Sequence, residues 1–171
     1  MDRETAIAFL VDHYQNPRHK SRLADADIEM PGGNPGCGDV VVLQLKADAN
    51  GERIVEAAFE GRGCTISQAA ASILLQRVNR ERPAFRDVLA LSYEEMIEVL
   101  GPELVGFRHR CATLALGTLK VAVKTLETDR KLRDAGYSAE EIARLRAATT
   151  VREPGLVVGA GAEAAARRTG V

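Results

Sequence analysis

Residues 37–64, with the sequence CGDVVVLQLKADANGERIVEAAFEGRGC, decide the fold. Residues 40–47 begin as an apolar, β-branched run and then alternate between apolar and polar side chains, which is typical of a strand. Residues 48–51 contain Asn-Gly, the dipeptide most favoured in tight hairpin turns. Residues 54–59 then return as a partner strand. The stretch therefore predicts an antiparallel hairpin that has a cysteine at each of its two ends.

Helical patterns lie on both sides of this hairpin. Apolar residues at helical spacing, with capping-box pairs that begin at Ser92 and Ser138, predict five helices. The first helix covers residues 2–15, and the second runs from a cap at Thr65 or Ser67 to about residue 79. The other three cover about 92–100, about 110–133 and 138–146. Residues 31–39 contain four glycines and two prolines, and their composition predicts a loop. Beyond Thr150 the chain is rich in Gly and Ala without apolar periodicity, which predicts a mobile tail.

Composition limits the class of protein. The chain has 171 residues, of which 46% are hydrophobic, and this suits one domain with a core. The net charge of −1 argues against a nucleic-acid partner, and no apolar run is long enough to span a membrane. Residues 1–4 are acidic and lack the apolar core of a signal peptide, so we expect a cytoplasmic protein. Three cysteines are an odd number, which disfavours a closed disulfide framework.

All three cysteines lie where regular structure is predicted to break. Cys37 is on the glycine-rich loop, Cys64 is at a strand-to-helix junction, and Cys111 is at or just before a helix start. Helix N-termini stabilise thiolates, and the glycines beside two of the cysteines permit positive φ and leave room for an ion. Together with Asp39, the thiolates suit zinc or a small iron–sulfur cluster. Three buried cysteines that act as small hydrophobic side chains remain an alternative.

Four segments resemble one known family. Residues 12–18, DHYQNPR, resemble the DHYxNPR opening of the IscU/SufU/NifU N-terminal family, and residues 34–39, NPGCGD, resemble its NPxCGD loop. Residues 61–67, GRGCTIS, resemble its GxGCxIS turn, and residues 110–114, RCATL, resemble its third cysteine segment. The order and the approximate separations fit, and the similarity covers about residues 2–128.

The resemblance implies an α+β fold of the SufE/IscU type, with a small antiparallel sheet packed against several helices and a metal site at one end. It assigns residues 1–130 to the family domain and leaves 131–171 as an additional helix and a mobile tail. It implies that a pyridoxal-phosphate cysteine desulfurase delivers persulfide sulfur to this domain. The metal or cluster ligands that carry over from the family are Cys37, Asp39, Cys64 and Cys111.

The segment before the third cysteine separates two branches of the family. In the IscU-like scaffold branch a histidine precedes that cysteine within an LPPVKxHC segment, whereas residues 105–111 read VGFRHRC. The SufU-like zinc-dependent branch has an RxKCATL-type segment, which residues 108–114 resemble closely. Against this, the 46 residues between Cys64 and Cys111 are too few for the insert usual in the SufU-like branch. The SufU-like branch is favoured on balance.

Two mechanisms follow from these branches. In the first, one zinc per chain assists sulfur transfer from a SufS-like desulfurase, Cys37 is the acceptor, and the other three ligands retain the metal. In the second, the same four residues hold a transient [2Fe-2S] cluster for apo-protein acceptors or other assembly components, and Cys111 receives the sulfur. The oligomeric state stays open.

Other residues of these segments receive simpler interpretations. His13 is assigned to packing and capping of the first helix. His109 is assigned to the surface, with a role as a substitute ligand kept as the alternative. The arginines beside the cysteines are either solvated charges or groups that lower a thiol pKa or meet an acidic desulfurase surface: Arg62, Arg108 and Arg110.

Overall fold

The structure is a computed structural model that describes residues 2–148, 150–153 and 156–159. Five strands form one antiparallel sheet in the order β3-β2-β1-β5-β4. The strands are β1 Ile28–Asn34, β2 Asp39–Ala47, β3 Ile54–Arg62, β4 Thr150–Glu153 and β5 Leu156–Gly159. The helices are α1 Arg3–Gln15, α2 Thr65–Glu81, α3 Phe85–Ala90, α4 Tyr93–Leu100, α5 Pro102–Val105, α6 His109–Asp134 and α7 Ala139–Ala148. The α+β class is confirmed.

The predicted hairpin is present as β2 and β3, and its turn uses the expected chemistry. Gly51 has a φ of 64°, and the Asp48 carboxylate accepts hydrogen bonds from the Glu52 and Arg53 N–H groups. The five predicted helices are also present, with the Ser92 hydroxyl accepting the Glu95 N–H as the capping-box pattern indicates. The short helices α3 and α5 have no counterpart in the sequence prediction, since pieces of six and four residues show no clear period.

The prediction of a loop over residues 31–39 is wrong for its first part. Residues 31–34 belong to β1 and pair with residues 42–39 of β2, and only residues 35–38 form a turn. Gly32 serves close packing, because a Cβ there would lie 1.9 Å from Oγ1 of Thr118 on α6. Glycine is thus required here for the approach of a helix to a strand, a use that composition does not separate from looping.

The core lies between the sheet and the helices. α6 packs across β1 and β2, while α2 packs on β3 and on α1. Val41, Leu43 and Leu45 alternate along β2 and join the buried apolar cluster that includes both helices. Gln44 lies between Leu43 and Leu45 on the opposite face of the strand. Its side-chain oxygen accepts a hydrogen bond from the Leu23 N–H. Among the described residues, no helix is long and apolar enough to cross a membrane.

Part of the predicted mobile tail is strand, which corrects that prediction. β5 pairs with β1 at Gly32 and Gly33, and β4 pairs with β5 at the edge of the sheet. The pairing of β5 with β1 joins positions more than a hundred residues apart, so no local sequence pattern indicates it. Residues 160–171, also predicted to be mobile, lie outside the described residues. The division of the chain at residue 130 stays a prediction.

His13 has the packing role that the sequence predicts. Its ring is 2% exposed, and Nδ1 lies 2.8 Å from the hydroxyl of Ser72 on α2. That hydroxyl also accepts the Arg18 N–H, so Ser72 connects α1 to the segment that follows it. Burial, followed by the Arg18 charge, lowers the pKa of His13 below its usual 6.5. The folded protein therefore favours neutral His13.

We expect the free energy of unfolding to fall as the pH drops below about 6.5. In that range the unfolded chain takes up a proton at His13 that the folded chain resists, so acid favours unfolding. Urea unfolding at pH 7.5 and 5.5 measures the change in the free energy of unfolding. The His13→Gln variant lacks this contribution, so the same two measurements on it should show a smaller change. His109→Asn, at an exposed histidine, is the matched control. A pH dependence in His13→Gln equal to that of the wild type would contradict the assignment.

Candidate metal centre

The hairpin and two helix starts bring the four predicted ligands to one end of the molecule. Cys37 lies in the turn between β1 and β2, and Asp39 is the first residue of β2. Cys64 is the N-cap of α2, directly after β3. Cys111 lies in the first turn of α6. Since β2 pairs with β3 and α6 packs on β1 and β2, these four positions converge.

The side chains approach one another closely enough to share an ion. One donor atom from each of Cys37, Asp39 and Cys111 lies within 4.8 Å of the other two, and the two sulfurs are 3.4 Å apart. The fourth residue, Cys64, has its Sγ 3.7 Å from Oδ2 of Asp39. Cys37 is exposed, Cys64 is partly buried and Cys111 is buried. The arrangement therefore has one accessible thiol in front of a sheltered one.

Asn34 supports the turn that bears Cys37, a role that the sequence analysis misses. Its side chain is 1% exposed, its Oδ1 accepts the Gly36 N–H at 3.1 Å, and its Nδ2 is 3.6 Å from Sγ of Cys111. Its carbonyl oxygen accepts the N–H groups of Cys37 and Gly38. One amide thus links the turn to α6. Its place in the NPGCGD segment was the available signal.

Asp39 is held by the backbone of the neighbouring segment. Its Oδ1 accepts the Cys64 N–H at 2.9 Å, which leaves Oδ2 facing the sulfurs. Gly63 permits this contact, because a Cβ there would lie 2.6 Å from Oδ1 of Asp39 and 2.5 Å from Oγ of Ser67. The four glycines beside Cys37 and Cys64 are Gly36, Gly38, Gly61 and Gly63, and of these four only Gly38 has a positive φ. Gly63 instead allows close approach.

The pKa values of the two inner thiols, Cys64 and Cys111, are shifted in opposite directions. A hydrogen bond from the Cys111 thiol lowers the pKa of Cys64 to about 6. The same hydrogen bond and burial raise the pKa of Cys111 above its ordinary value. Cys64 is also at the N-terminus of a helix of 17 residues, whose dipole favours a thiolate there. The two shifts run in opposite directions, and Cys64 is the thiol that they make more acidic.

The donor set fits a zinc ion. Zinc binds sulfur at about 2.3 Å and oxygen at about 2.1 Å in a tetrahedron, so its donors lie within about 4 Å of one another. Three of the four donor atoms lie within 4.8 Å of one another, and the fourth, Sγ of Cys64, is 3.7 Å from Oδ2 of Asp39. Oδ2 of Asp39 lies against the Cys64 thiol and Sγ of Cys37 lies against the Cys111 thiol, so these contacts are with other members of the donor set. His109 does not line this cleft and is exposed.

The donors line a cleft of about 390 Å³. Two arginines complete its wall, Arg62 from the end of β3 and Arg108 from the N-cap of α6. The role of both was open from the sequence, and the structure places both on the wall of the cleft that the three cysteines line. Arg110 is exposed and does not line the cleft.

Asn34→Ala should weaken metal binding about tenfold while the fold is retained. The substitution removes the Nδ2 contact with Cys111 and the Oδ1 bond to Gly36, so both ligand segments lose a common support. Competition with a chromophoric zinc chelator measures the affinity. Asn50→Ala, at an exposed asparagine of the β2–β3 turn, is the control. An affinity equal to that of the wild type would remove Asn34 from the site.

Comparisons with known proteins agree on one family. A family model described as the NifU-like N-terminal domain matches residues 8–133. The zinc-dependent sulfurtransferase SufU of Bacillus subtilis (strain 168) is 33% identical over 129 residues, 67% of this chain and 86% of that protein. The iron–sulfur cluster assembly scaffold protein IscU of Aquifex aeolicus (strain VF5) is 33% identical over 115 residues, 67% of this chain and 71% of that protein.

A solved structure supports the same family. It is a candidate iron–sulfur cluster assembly scaffold protein for the SUF system from Fervidobacterium islandicum AW-1. It superposes with a TM-score of 0.56 at 26% identity, over 67% of this chain and 93% of that chain. The match covers the cleft and its four donors, since the family model runs from α1 to the end of α6. The chain belongs to the NifU-like N-terminal domain family, which includes SufU-type and IscU-type proteins.

Proposed function

We propose that this protein accepts persulfide sulfur at Cys37 from a SufS-like cysteine desulfurase and passes it toward iron–sulfur cluster assembly. The observation that carries the proposal is an exposed thiol at the mouth of a cleft whose other donors are sheltered behind it. A sulfur donor on another protein can reach Cys37 without rearrangement of the core. The similarity to a zinc-dependent sulfurtransferase supports the same choice.

The transfer step uses residues of the chain. The Cys37 thiolate attacks the outer sulfur of the desulfurase persulfide, a new S–S bond forms at Cys37, and the desulfurase cysteine leaves as a thiolate. Arg62 and Arg108 line the same cleft as the reacting sulfur. Asp39, held by the Cys64 N–H, keeps its second oxygen toward the sulfurs throughout.

One zinc per chain would be held by Cys37, Asp39, Cys64 and Cys111. When bound, the ion would keep thiolates deprotonated near neutral pH. Asp39 is the hardest of the four donors and the one least suited to a soft thiolate site, so it is the ligand we expect to exchange most readily.

A scaffold of the IscU type is the second candidate. In that case the four residues hold a [2Fe-2S] cluster as cargo for apo-proteins, and Cys111 receives the sulfur. Two observations favour it: the IscU relative is as similar to this chain as the SufU relative, and Cys111 lies 3.4 Å from Cys37 in a sheltered position. A carboxylate among the ligands also suits a cluster that must leave, because all-cysteine sites bind clusters more firmly.

The two candidates differ in metal content and in what they release. The protein is purified without added metal, zinc and iron per chain are quantified, and sulfide release is measured after desulfurase and cysteine are added. The proposal expects about one zinc per chain and a strong increase in the desulfurase rate. Little zinc, no rate increase and a reconstituted [2Fe-2S] cluster that transfers to apo-ferredoxin would replace it with the scaffold.

A further inference from the structure

We propose that Arg62 and Arg108 form an anion subsite that selects a small thiol bearing carboxylates as the acceptor that discharges the Cys37 persulfide. The inference rests on the proposed sulfur transfer at Cys37. It names the substrate class for the step in which sulfur leaves Cys37. The juxtaposition that carries it is two arginines and one exposed cysteine that line the same cleft.

The cleft is larger than a metal ion needs. Its volume of about 390 Å³ falls in the range of small-molecule pockets, about 300–1,000 Å³. An ion held by the four donors occupies only the part of the cleft near the buried residues Asp39 and Cys111. The remaining space is in front of Cys37, the exposed member of the set. A molecule of the size of a substituted thiol can therefore enter beside the reacting sulfur.

The charge on the cleft wall favours an anion. Neither Arg62 nor Arg108 has an ion pair among the described residues, whereas the other arginines of the folded domain often do, as Arg77 does with Glu81 and Glu95. A guanidinium group binds a carboxylate through two parallel hydrogen bonds. The ligand chemistry that completes this wall is thus one or two carboxylates.

The backbone around the cleft adds to the same field. Two helices begin at the cleft: α2, of 17 residues, and α6, of 26 residues. Arg108 is itself the N-cap of α6, and its side chain makes no capping hydrogen bond. Helix N-termini favour negative charge, and here two of them accompany two arginines.

The reaction balances with the small thiol alone. Its thiolate attacks the outer sulfur of the Cys37 persulfide, so one S–S bond forms on the small molecule and the S–S bond at Cys37 breaks. The Cys37 sulfur leaves as a thiolate and the proton of the persulfide remains on the transferred sulfur. Electrons are conserved, and the free Cys37 is ready for another cycle.

The test compares thiols that differ in charge. Cys37 is loaded with desulfurase and cysteine, the desulfurase is removed, and the mass increase of one sulfur atom is confirmed. Discharge is then followed with mercaptosuccinate, 2-mercaptoethanol and cysteamine, and each rate is divided by the thiolate fraction of that thiol. We expect mercaptosuccinate to be about tenfold faster than 2-mercaptoethanol, and cysteamine to be slowest, because charge-assisted hydrogen bonds to the arginines are worth a factor of that size.

Variants locate the preference. The double variant Arg62→Gln and Arg108→Gln should lower the ratio of the mercaptosuccinate rate to the 2-mercaptoethanol rate from about ten to about one, while Arg110→Gln, exposed and outside the cleft wall, should keep the wild-type ratio. Succinate gives a readout independent of turnover: it should slow alkylation of Cys37 by iodoacetamide in the wild type but not in the double variant. Zinc content is measured for every variant.

Each outcome separates the two levels of the argument. If Cys37 takes up no sulfur, the proposed function fails. If Cys37 is loaded but all three thiols remove its sulfur at equal corrected rates, the subsite fails and the proposed function stands. If the double variant is loaded more slowly but, once loaded, still prefers mercaptosuccinate, the arginines bind the desulfurase instead, and the subsite is again overturned.

Discussion

Cys37→Ser should abolish persulfide acceptance, lowering sulfur uptake by at least about a hundredfold. A serine hydroxyl forms no persulfide, and its oxygen is a poor nucleophile near neutral pH. The fold should persist, because Cys37 is exposed in a turn that Asn34 holds through backbone contacts. Intact-mass spectrometry after incubation with cysteine desulfurase and cysteine measures the sulfur bound per chain.

Cys111→Ser is the matched comparison for that experiment. Its thiol is 1% exposed and lies behind Cys37, so the substitution should weaken metal binding while sulfur still reaches Cys37. Circular dichroism confirms that both variants fold. If Cys37→Ser still takes up sulfur and peptide mapping finds it on Cys111, the scaffold mechanism is correct and Cys37 is not the acceptor.

Arg146→Met should destabilise the protein by about 3 kcal/mol, the largest stability effect that we expect. Arg146 on α7 is paired through two nitrogens with Asp129 on α6, and it also donates to the Asp27 carbonyl oxygen. Asp129 is only 4% exposed, so removal of its partner leaves a buried charge without compensation. Urea unfolding monitored by circular dichroism gives the change.

Two further variants make the result specific to the pair. Arg144→Met changes an exposed arginine on the same helix and should cost less than about 0.5 kcal/mol. Asp129→Asn combined with Arg146→Met removes the buried charge and should recover much of the loss. A single Arg146→Met variant as stable as the wild type would show that α7 is held by other contacts. The test also bears on residues 131–171, since α7 follows the family match at residues 8–133.

Local chemistry made much of the architecture predictable. The β2–β3 hairpin follows from alternation and an Asn-Gly turn, and the caps at Ser92 and Ser138 follow from side chains that bond nearby N–H groups. These interactions span only a few residues. The positions of the three cysteines at element boundaries were predictable for the same reason.

Elements that depend on distant partners were not predictable. Residues 31–34 have the composition of a loop, and they form a strand because β2 pairs with them and α6 approaches them over Gly32. β5 forms because residues 157 and 158 pair with residues 33 and 32, a contact with no local signature. Short helices such as α3 are fixed by packing of Phe85 and Val88 in the core rather than by a periodic pattern.

The sequence by itself determined the donor chemistry of this protein: three thiols and a carboxylate, each placed at a break in regular structure. Only the tertiary structure decided that Cys37 is exposed, that Cys111 is buried 3.4 Å behind it, and that two arginines share their cleft. The reason is physical. Residue type and local backbone preference are properties of short segments, whereas exposure, distance and the electrostatic field at a thiol depend on strands and helices that meet from distant parts of the chain.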